Sequence, residues 1–204
     1  SKISGVETVL WNDQFENILP LILAQTKDIY LEKNEHIRSK TKVETAQDRF
    51  IKKIKTEFSS HNIKRLYPIL SELRMVKNDI EVTQIQKACD ITEMGFRRVL
   101  DFIKPGVWEY EIEAEYSHEF LNNRSKGFAY QPIIASGINS CCLHYNTNNM
   151  QCKDGEMVLM DVGSEYANYR SDMTRTVPIN GKFSKRQLQI YNAVLNVKNE
   201  ANKI

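Results

Sequence analysis

Residues 158–178 read "VLMDVGSEYANYRSDMTRTVP", and they place two aspartates, Asp161 and Asp172, eleven positions apart in strand-like surroundings. Asp161 ends an apolar run and Asp172 leads into another. Side chains alternate faces along a strand, so two residues eleven apart on a straight strand lie on opposite faces. A fold of the chain at Ala167-Asn168 changes that parity. An even-numbered loop puts both carboxylates on one face, directly opposite or one diagonal step apart, about 5–8 Å across the ladder. Asn168 suits such a turn because Asn tolerates positive φ. Gly163 leaves backbone room beside the pair. Two carboxylates this close repel unless a cation or a proton sits between them. Oxygen-rich pairs suit hard or borderline divalent ions such as Mn²⁺, with Zn²⁺ or Co²⁺ also accommodated. The plain alternative is a pair of exposed hairpin charges matched by Arg170 and Arg175.

Around this hairpin the apolar pattern alternates between helix and strand. "YPILSELRMVK" (67–77) predicts a short helix with Pro68 in its first turn. A long helix follows over "IEVTQIQKACDITEMGFRRVLDFI" (80–103), with Asp79 as its N-cap and Val82, Ile85, Ala88, Cys89, Thr92, Phe96 and Val99 as its apolar stripe. "KPG" at 104–106 stops it. A third helix over 109–123 turns Ile112, Tyr116 and Leu121 inward. Strands are expected in "PIIAS" (132–136), "EMVLMDVGS" (156–164) and "RSDMTRTVPI" (170–179). Ser184 and Gln187 form a capping box for a closing helix, whose stripe of Leu188, Tyr191, Val194, Leu195 and Ala201 runs on to Ile204 with no stop signal. That pattern reads as a chain cut inside a helix. Residues 1–65 differ: an apolar stretch (7–23) precedes a charge-dense one (27–58), in which Phe50, Ile51, Ile54 and Phe58 predict an amphipathic helix.

Bulk composition narrows the function classes. The chain has 204 residues, of which 41% are hydrophobic and 26% charged, and the two proportions together indicate a globular protein. With a formal net charge of only +2 and its basic residues mixed with acids, it does not read as a nucleic-acid binder. No apolar run reaches the ~18 residues expected of a membrane span. Cys89, Cys141, Cys142 and Cys152 make neither a C-x-x-C spacing nor a plausible disulfide framework. A reduced, cytoplasmic protein is expected.

Further candidates lie outside the hairpin. His144 sits in "ASGINSCCLHYNTNN" (135–149), a Gly-, Ser- and Asn-rich loop after a strand, a setting that often carries function. Beside a metal a histidine can donate a proton or bind an anionic intermediate; elsewhere it is a plain hydrogen-bonding residue. His36, His61 and His118 read as surface or packing residues. Cys141 and Cys142 read as small buried residues. Tyr130, in "GFAYQPII", either orients a metal ligand through its hydroxyl or packs in the core.

Taken in order, "LRMVKNDIEVTQIQKACDIT" (73–92), "IKPGVWEYEIEAEY" (103–116), "YQPIIASGINSCCLHYNTNN" (130–149) and residues 157–197 resemble the pita-bread metallopeptidases. More narrowly they resemble the Xaa-Pro aminopeptidase (aminopeptidase P) and prolidase branch. The resemblance spans about residues 66–204 in several ordered motifs, which a lone pair of aspartates would not provide. It implies an α+β chain: residues 1–65 as the end of an α/β N-terminal domain, and 66–204 as the first half of a pita-bread catalytic domain. It further implies two divalent ions, commonly Mn²⁺, with Asp161 on one and Asp172 bridging both. His144 aligns with the histidine of the "S-G-x-N-S-x-x-L-H-Y" loop, which contacts substrate and assists proton handling. The implied reaction removes the residue ahead of a proline at the second position of a peptide, through attack by a metal-bridged hydroxide. A prolidase or a non-catalytic binding relative is the alternative, and a homo-oligomer is expected. The family's remaining ligands, one His and two Glu, lie beyond Ile204 in this pattern. This chain alone is therefore expected to be inactive.

Overall fold

The computed structural model describes residues 5–33, 35 and 43–203; His36 and Ile204 lie outside them. Contacts divide the chain into two compact units between Val76 and Lys77. In the first, strand β1 (Asp28–Leu31) pairs in parallel with β2 (Asn62–Arg65). Helices α1 (Phe15–Leu23), α2 (Ala46–Glu57) and α3 (Tyr67–Met75) belong to the same unit. Leu23, Ile29 and Ile54 form a small core flanked by Phe50 and Phe58, so the amphipathic spacing within 50–58 does mark a helix and its buried face. Thr45 caps α2, its hydroxyl accepting from Asp48 N at 3.1 Å. His61 binds the Leu23 carbonyl through Nε2 at 2.9 Å, which is a packing role.

In the second unit, α4 (Asp79–Phe102) and α5 (Glu109–Asn122) pack against each other, and α5 lies on strand β3 (Ile133–Ser136). The sheet has the order β3-β4-β7, all antiparallel, with β4 at Met157–Val162 and β7 at Met173–Pro178. Between β4 and β7 lies the short ribbon β5 (Glu165–Tyr166) and β6 (Tyr169–Arg170). The core joins Ile91, Val99, Ile112, Tyr116, Phe120, Ile134, Met160 and Val162. Gly95 permits the helix pair: a Cβ there would stand 2.9 Å from both Phe120 and Tyr116 side chains.

Several expectations need correction. Asn78, not Asp79, caps α4: its Oδ1 accepts from Glu81 N, and its own N–H donates to Glu81 Oε2. On α4, Ala88, Thr92 and Val99 are buried and Phe96 packs on the core as expected, Ile91 and Gly95 join them, and Val82 and Cys89 are exposed instead. On α5, Phe120 is buried and Leu121 is exposed, one position's difference on a helix. His118 is exposed. Cys141 and Cys142 are exposed rather than buried. The closing helix α6 (Lys185–Ala201) starts at the Ser184–Gln187 box as expected. Its apolar residues Leu188, Tyr191, Val194 and Leu195 all face solvent in this structure.

The hairpin turn carries a local cost. Ala167 and Asn168 both have positive φ, 50° and 67°, the pattern of a two-residue type I′ turn. Asn accepts this region; Ala pays about 1–2 kcal/mol for it. Ala167→Asn is expected to stabilise the second unit by roughly 0.5–1 kcal/mol, read as a higher chemical-denaturation midpoint at unchanged m-value.

Candidate metal centre

The register of the hairpin decides where the two aspartates meet. Asp161 lies opposite Thr174 and Val162 opposite Met173; beyond the interruption, Glu165 pairs Arg170 and Tyr166 pairs Tyr169. The same alignment holds on both sides, so Asp172 sits one diagonal step from Asp161, as the turn parity requires. The interruption itself is built by Gly163. A Cβ at that position would lie 1.9 Å from the Ser171 carbonyl oxygen, so only glycine allows the strands to approach this closely. Buried hydroxyls lock the same point onto α4. Thr92 Oγ1 and Ser171 Oγ are 2.6 Å apart, Ser164 N donates to both at 3.0 and 2.9 Å, and Ser164 Oγ donates to the Ala88 carbonyl at 2.8 Å.

Tyr130 arrives from the other side of this interruption. Residues 126–129 run alongside the hairpin, with Ala129 N donating to Gly163 O at 2.8 Å and Glu165 N to Gly127 O at 3.0 Å. The next residue is thereby aimed at the carboxylates. The Tyr130 hydroxyl lies 2.7 Å from Asp161 Oδ1 and 3.0 Å from Asp172 Oδ1, its single proton shared between two acceptors. Burial, then the hydrogen bonds to Asp161 and Asp172, hold this phenol well above the usual tyrosine range, so it stays a donor. Arg170 instead pairs with Glu165 at 3.2 Å, and Arg175 donates to the Thr174 carbonyl at 2.8 Å. Among the described residues, neither arginine neutralises the aspartates.

Two carboxylate oxygens within reach of one hydroxyl give an all-oxygen donor set with uncompensated negative charge, which fits a divalent cation. Among the described residues, no group of three or more His, Cys, Asp or Glu side chains converges as a metal cage. His144 is exposed, with φ 55°, and among the described residues it makes no hydrogen bond with Tyr130, Asp161 or Asp172. The structure thus brings three of the four candidates together and leaves the histidine on its loop.

Sequence reasoning missed Glu109, a fully buried carboxylate at the start of α5. Burial would raise its pKa, but hydrogen bonds from Ser136 N, Met150 N, the Tyr145 hydroxyl and Ser136 Oγ outweigh that and hold it below the usual carboxylate range. One signal was available. Glu109 stands three and seven positions before Ile112 and Tyr116, on the helix's inward face, where an acid is out of place.

The model of metallopeptidase family M24 matches residues 83–204, and the chain belongs to that family. A Xaa-Pro aminopeptidase of Haemophilus influenzae is 36% identical over 93% of this chain and 42% of its own length. Proline aminopeptidase P II from Yersinia pestis superposes with a TM-score of 0.81 at 31% identity, over 96% of this chain and 45% of the other. A zinc-substituted Escherichia coli aminopeptidase P in complex with product gives 0.80 at 30%, over 94% and 44%. The fold of the chain is that of aminopeptidase P structures, of which it spans somewhat less than half. No helix among the described residues is long and apolar enough to cross a membrane.

Gly163→Ala is expected to destabilise the second unit by about 1–3 kcal/mol or more, the range of an overpacked core site. A melting temperature within a degree of the parent chain would show that the close approach at Ser171 is not required.

Proposed function

We propose that the protein carrying this chain is a metal-dependent aminopeptidase that removes the first residue from peptides with proline in second position. The observation that carries the reading is the pair Asp161 and Asp172, held on one phenol hydroxyl without a neutralising arginine, in a chain of family M24. In this reading Asp161 and Asp172 would hold divalent ions, Mn²⁺ first and Zn²⁺ or Co²⁺ as substitutes. When bound, such ions supply Lewis-acid polarisation of a peptide carbonyl and acidify water. Zinc substitution in the related Escherichia coli structure supports the divalent class.

The chain's own residues have simpler tasks. Asp161 and Asp172 provide negative charge in a fixed diagonal geometry. Tyr130 keeps its proton on the hydroxyl and uses it to orient one oxygen of each carboxylate, leaving the other oxygens open. His144, presented by the loop after β3, contacts the substrate and handles its proton. Two carboxylates are a small donor set, so the chain alone is expected to release no residue from a proline peptide. The unpaired cysteines suit a reducing compartment, and we place the protein in the cytoplasm on that ground.

The test is turnover by the full-length protein with Mn²⁺. An Xaa-Pro-Xaa tripeptide is expected to lose its first residue faster than an Xaa-Pro dipeptide is split; the reverse order indicates a prolidase. Asp172→Ala is expected to lower kcat/KM by at least about a hundredfold, since even a residue that only orients a metal ligand costs about 10–100-fold when changed. Near-normal turnover with full metal content in that variant would remove Asp172 from the site.

A further inference from the structure

One buried ionised group has no task in the reaction outlined above. Glu109 is completely shielded from solvent, and five donors converge on its carboxylate. Oε1 accepts from Ser136 N at 2.7 Å, Ser136 Oγ at 2.8 Å and Asn139 Nδ2 at 3.3 Å. Oε2 accepts from the Tyr145 hydroxyl at 2.7 Å and Met150 N at 2.9 Å. These donors come from the end of β3, from the turn after it, from the residue next to His144, and from the far end of the same loop. Asn139 ties the two halves together, its Nδ2 also reaching the Tyr145 hydroxyl at 3.1 Å.

One helical turn later, Glu113 holds the loop a second time. Its Oε2 accepts from Asn148 Nδ2 at 2.8 Å, while buried Asn148, with φ 46°, accepts from Ile134 N at 3.1 Å and donates to the Pro132 carbonyl at 3.2 Å. The i, i+4 spacing on α5 places both carboxylates along one side of the helix. Between these anchors the chain carries His144 outward into solvent, in the left-handed region. A buried carboxylate without a cationic partner is costly unless its lone pairs are filled. Here backbone and side-chain dipoles fill them: two from Ser136 at the end of β3, and three, from Asn139, Tyr145 and Met150, from the loop itself.

We propose that Glu109 is a positioning residue: its carboxylate fixes the 137–150 loop and so sets where His144 is presented. What His144 then does rests on the peptidase reading above; the anchoring does not. The distribution of donors makes the proposal specific. Glu109→Gln keeps an oxygen toward the three donors on the Ser136 side but turns an amide N–H₂ toward Met150 N, where two donors then meet, and takes the acceptor away from the Tyr145 O–H.

The first measurement is amide hydrogen exchange and the His144 ring resonances by NMR in the whole chain. In Glu109→Gln, exchange at Met150, whose N–H donates to Glu109, is expected to speed up by about tenfold or more, with a shift of the His144 ring signals and no change at Met160 on β4. Tyr145→Phe removes a single hydroxyl at the loop, and serves where Glu109→Gln does not fold; it is expected to shift the same His144 signals. Unchanged exchange at Met150 and unchanged His144 signals in a folded variant would overturn the proposal. The second measurement is a double-mutant cycle in the full-length protein. Glu109→Gln is expected to lower kcat in the parent but to have little further effect in His144→Ala; fully additive losses would overturn the coupling to His144. A parent with no turnover on proline peptides would instead defeat the peptidase reading, leaving the exchange result to decide the anchoring alone.

Discussion

Two carboxylates reach one phenol hydroxyl because the hairpin between β4 and β7 keeps a single register across its break at Gly163 and Ser171. A slip of one residue would turn Asp161 to the opposite face of the sheet. Three independent features prevent it: the two-residue turn at Ala167-Asn168, the absence of a Cβ at Gly163, and the hydroxyl network that ties Ser164 and Ser171 of the hairpin to Thr92 on α4. Each acts on backbone position rather than on the carboxylates themselves. The centre is therefore set by the scaffold before any ion is considered.

The same logic extends outward in layers. Helix α5 packs on β3 through Ile112, Tyr116 and Phe120 in the common core, and the inward face that carries these residues also carries Glu109. β3 pairs with β4 so that Ile133 lies opposite Asp161. The loop bearing His144 thus begins at the end of a strand registered to Asp161, and returns to a carboxylate on the helix behind it. Packing, register and the polar anchors act on one set of residues. The exposed apolar residues of α6 are outside that arrangement, since none of that helix is buried in this structure.

Much of the centre was legible in the sequence. Turn parity at Ala167-Asn168 gave the shared face of Asp161 and Asp172, and Gly163, two residues after Asp161, marked the close approach; both follow from backbone geometry that single residues dictate. Helices were readable where apolar residues recur, yet their inward faces were misjudged by a position, as at Phe120 and Leu121, because periodicity fixes spacing better than phase. Asp79 was mistaken for Asn78 at a cap because both side chains can accept the same backbone N–H. Tyr130 could be placed near a ligand, but its sharing between two carboxylates depends on the pairing of 126–129 with the hairpin. Glu109 was missed because its five donors come from residues 27 to 41 positions away in sequence, and no local pattern encodes that convergence.

The central claim, that Asp161 and Asp172 form one cation-holding pair, is most directly tested by titrating the chain with Mn²⁺ and following paramagnetic broadening of its NMR signals. The account predicts weak binding, about 0.1–1 mM, the range of the weakest oxygen-ligand calcium modules, with broadening centred on Tyr130, Asp161 and Asp172 and lost in both Asp161→Ala and Asp172→Ala. Broadening centred elsewhere, or undiminished in either variant, would contradict it.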